Sequence, residues 1–126
     1  MNEFTIINKY FSKLTKNNPG AFNLKDDIYF DNKKKISVTI DTYNKGVHFV
    51  DFSKPDLVIK KCLRSSISDL ICKGVVPKIF FISASGGKKD FTKTNLKKIY
   101  KSLQSEQKKY SIKLSGGDTN FSRTLS

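Results

Sequence analysis

Much of the usual catalytic equipment is scarce or missing from this sequence. There is one histidine, His48, so a hydrolase triad has no support and no His/Cys cluster exists to hold zinc. There is no Walker-type phosphate loop and no glycine-rich dinucleotide fingerprint; Gly86-Gly87-Lys88-Lys89 has the wrong spacing for either. No stretch reaches the roughly 18 apolar residues that span a bilayer, and the opening MNEFTIINKYF has no small-residue cleavage site, so a soluble, cytoplasmic protein without a membrane partner is expected. The two cysteines, Cys62 and Cys72, fall ten positions apart in a segment that reads as helix. That spacing separates them by about 15 Å, too far for a disulfide.

Acidic residues are also few, 11 against 24 basic ones, for a formal charge of +13 over 126 residues. Such a balance raises a nucleic-acid hypothesis, in which affinity falls steeply with salt. The basic residues are almost all lysine, in pairs spread through every segment, from Lys33 to Lys35 through Lys60-Lys61, Lys88-Lys89 and Lys97-Lys98 to Lys108-Lys109. That distribution describes a solvated surface better than a binding patch, so a nucleic-acid partner is not expected.

What is present is a regular alternation of patterns. Phe4, Ile7, Phe11 and Leu14 predict an amphipathic helix over 3–14, broken by Asn17-Asn18-Pro19-Gly20. Strands are predicted at 28–30, 36–40 and 47–52. Ser53, Pro55 and Asp56 open a helix over 55–73 that Gly74 and Pro77 stop. The continuous apolar run Ile79-Phe80-Phe81-Ile82 predicts a strand covered on both faces. Leu96, Ile99, Tyr100 and Leu103 give a second amphipathic helix over 92–109, and 111–114 reads as a strand ending at a Gly116-Gly117 turn. The order predicts an α+β fold with helices packed on one face of a mixed or antiparallel sheet.

Nine of the eleven acids are aspartates, whose short side chain suits tight metal and turn geometry. Asp26-Asp27 precede a strand; a divalent cation would explain such adjacent like charges, and so would a plain turn. Asp41 ends the strand 36–40, where open sheets place ligands and where strands also simply terminate. Asp69 lies inside a predicted helix, an unfavourable place, on a stripe of small residues with Cys62, Ser65 and Ser66. That face suits a close approach to a metal-phosphate site; an exposed or locally capped aspartate is the alternative. Gly116-Gly117-Asp118-Thr119 has the ingredients of a magnesium-phosphate turn or of an ordinary tight turn.

Taken together, Leu24-Lys25-Asp26-Asp27, Thr39-Ile40-Asp41-Thr42 with Gly46-Val47-His48-Phe49, Ser68-Asp69-Leu70 with Gly74, and Gly116-Gly117-Asp118-Thr119 resemble the thiamine-monophosphate kinase family. The match is collinear along nearly the whole chain. The resemblance implies the N-terminal domain of the aminoimidazole ribonucleotide synthetase-like fold, dimerising through its sheet, with the carboxy-terminal domain outside residues 1–126. It implies transfer of the ATP γ-phosphoryl group to thiamine monophosphate, a homodimer, and several magnesium ions held by Asp26, Asp27, Asp41, Asp69 and Asp118, with a contact from Thr39. His48 would face the thiamine phosphate, while Gly117, Asp118 and Tyr100 would touch ATP. No catalytic side chain beyond the metal ligands is implied, and clustered acids would raise one another's pKa.

Three departures stand out. Lys25 replaces a glycine before the paired aspartates, Ile40 replaces a hydroxyl residue beside Asp41, and Ser66 replaces an asparagine on the metal-facing helix. A sister ATP-using enzyme of the same superfamily (aminoimidazole ribonucleotide synthetase, selenide water dikinase or hydrogenase maturation factor type) and a noncatalytic dimerisation fragment are the other readings. Without the second domain, this stretch alone is expected to be inactive.

Overall fold

The computed structural model describes residues 1–126 and bears out the α+β class. It divides into two compact units, Met1–Ile40 with Asp69–Val75, and Asp41–Ser68 with Val76–Ser126. The expected single sheet is instead two two-stranded sheets, one in each unit.

In the first unit, the predicted N-terminal helix is present but irregular. Asn2 caps a short α1 (Glu3–Ile6) by accepting the Thr5 N–H at 2.9 Å. A π turn over Ile7–Phe11 and a 3-10 turn over Ser12–Thr15 follow. The Ser12 hydroxyl donates to the Asn8 carbonyl at 2.9 Å and the Thr15 hydroxyl to that of Ser12 at 2.6 Å, competing with the regular ladder. Phe4 and Leu14 consequently stand exposed instead of forming a packing stripe. A 3-10 segment, Pro19–Leu24, then turns through left-handed conformations at Phe22, Asn23 and Leu24. It leads into β1 (Ile28–Asp31), which pairs antiparallel with β2 (Ile36–Thr39), Ile28 opposite Thr39, and Ile28 is the buried anchor of this unit.

In the second unit, the expected strand at 47–52 is absent. Gly46 takes a φ of 82°, and the Asn44 carbonyl accepts the N–H groups of both Val47 and His48, so the chain closes into a turn with an isolated bridge between Lys45 and Phe49. Strand geometry cannot survive that left-handed step. Helix α2 (Pro55–Cys72) is where the sequence put it, begun by proline and stopped by Gly74 at φ 74°, with the Val75 N–H donating to the Leu70 carbonyl. Cys62 and Cys72 are both free, as expected.

Strands β3 (Ile79–Gly86) and β4 (Lys113–Phe121) pair in parallel, joined by α3 (Lys93–Tyr110). Thr92 caps α3 by accepting the Asn95 N–H at 3.2 Å, and Ser111, left-handed at φ 53°, ends it. Strand β3 is not covered on both faces as its apolar run predicts: Phe80, Ile82 and Ala84 are half-buried while Ile79, Phe81 and Ser83 are exposed, the alternation of a sheet covered on one face. The glycine pair is not a turn: after a bulge at Ser115, β4 continues through it, with Gly117 opposite Ile82 and Asp118 opposite Ser83. A Cβ on residue 117 would lie 1.8 Å from the Ile82 carbonyl oxygen, so only glycine lets the strands come this close.

The apolar stripe foreseen on α3 is only partly used. Leu96 and Tyr100 are exposed, and the fully buried side chain of the helix is Glu106. Both its carboxylate oxygens accept from Arg64 of α2, Nε and a terminal nitrogen each at 2.9 Å. Beside them, the buried Ser102 hydroxyl donates to the Asp56 carbonyl at 2.9 Å. The two helices are thus fastened by polar contacts, which no hydrophobic periodicity reports.

Two outcomes are expected in urea denaturation. Gly117→Ala lowers stability by about 3 kcal/mol or more, the scale of severe overpacking, because backbone must move to admit the methyl group. Arg64→Ala and Glu106→Gln each lower the midpoint, and the joint replacement Arg64→Met/Glu106→Leu loses less than the sum of the single changes, since no buried charge is then left unpaired.

Candidate functional site

The aspartates reach their positions by different local means. Asp26 lies in the turn entering β1, where its Oδ1 accepts the Ile28 N–H at 3.2 Å, and Lys73, just past the end of α2, donates to its Oδ2 at 2.9 Å. The turn role is therefore real, and a lysine compensates this half of the Asp26-Asp27 pair. That hydrogen bond from Lys73 holds the Asp26 carboxyl below the usual carboxylate range, the reverse of the expected upward push from neighbouring acids, and it holds the Lys73 ammonium above its own usual range. Asp27 is exposed and makes no hydrogen bond through its carboxylate; its main-chain carbonyl accepts the Thr39 hydroxyl at 3.4 Å across the β1–β2 pair. Asp69, late in α2, is half-buried in the same unit.

Lys25 takes an ordinary right-handed conformation, with φ −90° and ψ −8°. The left-handed residues are the three before it, so a side chain here in place of glycine brings no backbone strain.

In the second unit, Asp41 follows β2 and is exposed, and its Oδ2 accepts the Ser66 hydroxyl of α2 at 2.7 Å. Ser66 is one of the three departures from the family pattern, standing where an asparagine was expected, and it orients the Asp41 carboxylate. Sequence reading placed Ser66 on the small-residue stripe but had no signal for its partner, 25 positions away. Ile40, exposed beside Asp41, supplies no oxygen.

His48 is half-buried in the turn at 44–49. Its Nδ1 accepts the Asn44 N–H at 2.8 Å, its ring meets Tyr43 edge-on at 5.3 Å, and its carbonyl accepts from Lys61 of α2. With Nδ1 occupied as an acceptor, Nε2 is left to meet a ligand. Asp118 projects from β4 and is exposed, next to Gly117, and Tyr100 is exposed on α3.

The aspartate carboxylates and the Thr39 hydroxyl are hard oxygen donors, the kind magnesium takes together with water and phosphate oxygens. No three acidic, histidine or cysteine side chains gather into a ready-made metal cage. Magnesium bound with a nucleotide needs only one or two protein carboxylates, the phosphates supplying other ligands, so the donor chemistry fits.

Residues 21–126 match the family described as AIR synthase related protein, N-terminal domain. Along the sequence, the chain is 28% identical over 123 residues to the thiamine-monophosphate kinase of Bacillus subtilis, covering 94% of this chain and 38% of that one. It is 30% identical over 122 residues to the thiamine-monophosphate kinase of Buchnera aphidicola subsp. Acyrthosiphon pisum, covering 94% and 37%. Among solved structures, it resembles thiamine monophosphate kinase from Aquifex aeolicus at TM-score 0.71 and 25% identity, over 91% of this chain and 40% of that one. It also resembles AaThiL complexed with AMPPCP and TMP at TM-score 0.76 and 25% identity, over 99% and 41%. The chain thus spans about two-fifths of the length of these relatives.

The Asp26–Lys73 pair sets a pH window. Asp26, with its pKa lowered, contributes stability above the unfolded value of about 3.9 that is lost as pH falls through the folded value. Lys73, with its pKa raised, contributes below about 10.4, and that share is lost as pH rises through its folded value. Chemical-shift titration is expected to place the Asp26 carboxyl below ordinary aspartates, and Lys73→Ala is expected to bring it back up.

Proposed function

Since the chain belongs to the family of AIR synthase related proteins, through their N-terminal domain, we propose that residues 1–126 are the ATP- and magnesium-binding N-terminal domain of a thiamine-monophosphate kinase. The observation that carries this reading is collinearity: relatives with that activity align over 94% of the chain. A structure complexed with AMPPCP and TMP has the same fold over 99% of it, which favours this activity over that of the sister enzymes.

The reaction moves the γ-phosphoryl group of ATP onto the phosphate of thiamine monophosphate, giving ADP and thiamine diphosphate. Donor and acceptor are both densely anionic, so alignment and neutralisation matter more than a strong base. Magnesium, when bound, supplies that neutralisation. On the protein side, Asp27, Asp69, Asp41 and Asp118 offer the carboxylates, with Ser66 fixing the direction of Asp41 and the Thr39 hydroxyl tying β2 to the Asp27 main chain. Asp26, already paired with Lys73, serves chiefly to hold the entry to β1. His48 presents Nε2 to the acceptor phosphate, and Gly117 and Tyr100 contact the nucleotide. The remaining groups come from a carboxy-terminal domain outside this chain, and the working form is a cytoplasmic homodimer joined through its sheets.

Calorimetry of this chain with Mg-AMPPCP tests the reading. Binding that vanishes in EDTA is expected, with Asp41→Asn and Ser66→Ala each weakening it by roughly tenfold or more, as loss of a metal ligand or its orienting partner does. Absence of binding, or binding indifferent to both substitutions and to EDTA, overturns it.

A further inference from the structure

A second feature of the second unit has no part in that chemistry. Between the start of α2 and the middle of α3 runs a groove of about 480 Å³ lined by Lys54, Lys60, Lys98, Lys101, Ser105 and the Asp56 region, with Ser102 at its floor. Four lysines therefore line one concavity, and none of them is in an ion pair. The one carboxylate of the lining, Asp56, is in the first turn of α2, where the helix's own positive end compensates it. Like charges gathered without counter-charge create a local positive potential that favours an anionic occupant.

Two observations narrow the ligand. No aromatic side chain lines the groove, so the stacking platform on which single-stranded nucleic acid is read is missing. The groove is open to solvent and, at about 480 Å³, has room for a small anion. The groove is also independent of the nucleotide contact assigned to Tyr100. At 100° per residue, positions 98, 101, 102 and 105 share one face of α3, and Tyr100 projects from the opposite side.

We infer that this groove is a second anion site, taking a small molecule that carries two or more phosphoryl groups, held by Lys54, Lys60, Lys98 and Lys101. The Ser105 hydroxyl adds a donor at the rim. The Ser102 hydroxyl is already committed to the Asp56 carbonyl, which fixes the floor.

The test is titration of the chain with inorganic tripolyphosphate in EDTA, so that magnesium-dependent nucleotide binding makes no contribution. The expected result is saturable binding weakened roughly thirtyfold by Lys98→Ala/Lys101→Ala, the scale of two lost close charge contacts in water. Lys54→Ala/Lys60→Ala reports the same loss from the other helix, should the first variant misfold. Asp41→Asn and the distant control Lys33→Ala/Lys34→Ala are expected to leave it unchanged. Binding unaffected by both groove variants, or equally reduced by the control, overturns the inference, as does tighter binding of a single-stranded RNA of equal charge through the same lysines. Failure of Mg-AMPPCP binding with tripolyphosphate binding intact would sink the kinase reading and leave this one standing.

Discussion

The parallel pairing of β3 with β4 closes to a distance that admits no side chain at residue 117, and much of the second unit depends on it. Because the strands approach so closely, β4 continues through Gly116 and Gly117 instead of turning. Asp118 and Thr119 then become strand residues in register with Ser83 and Ala84. A flexible phosphate loop would have presented its carboxylate with conformational freedom to lose on binding. A strand holds the Asp118 main chain already ordered.

A buried ion pair ties α2 to α3. Glu106 is fully buried, and Arg64 answers it with two parallel hydrogen bonds while its own side chain stays partly in solvent. A pair of this geometry adds direction as well as attraction, fixing the rotation of α3 about its axis. That rotation leaves Leu96 and Tyr100 outward and brings Lys98 and Lys101 to face Lys54 and Lys60. The same arrangement therefore exposes Tyr100 and builds the basic groove on the opposite side of the helix.

The acids divide by the company they keep. Asp26 is neutralised by Lys73 within the first unit, and Asp41 accepts from an uncharged hydroxyl, that of Ser66. A carboxylate bonded to a hydroxyl keeps its full charge and its remaining lone pairs for a cation, whereas one bonded to an ammonium has already been compensated. Asp41 thus keeps an uncompensated charge while Asp26 holds a turn, though the sequence presents both as equal members of one pattern.

Helix α2 and strand β3 could be read from the chain alone because their signals are local. The helix starts with a proline at its first position and stops at a glycine taking a left-handed conformation, and the strand is an unbroken apolar run. The spacing of the aspartate motifs is equally a property of the sequence, and the family match over residues 21–126 agrees with it. The rest was decided by contacts between residues far apart in the chain. Asn44 and Gly46 turn the segment expected as a third strand, Ile82 makes a strand of the glycine pair, and Arg64 selects the buried face of α3. Ser66, read from sequence as a departure from the family pattern, becomes the partner of Asp41 only in the folded second unit. Periodicity and motif spacing record what each residue prefers locally; which donor meets which acceptor across 25 to 42 positions is fixed only when the chain has folded.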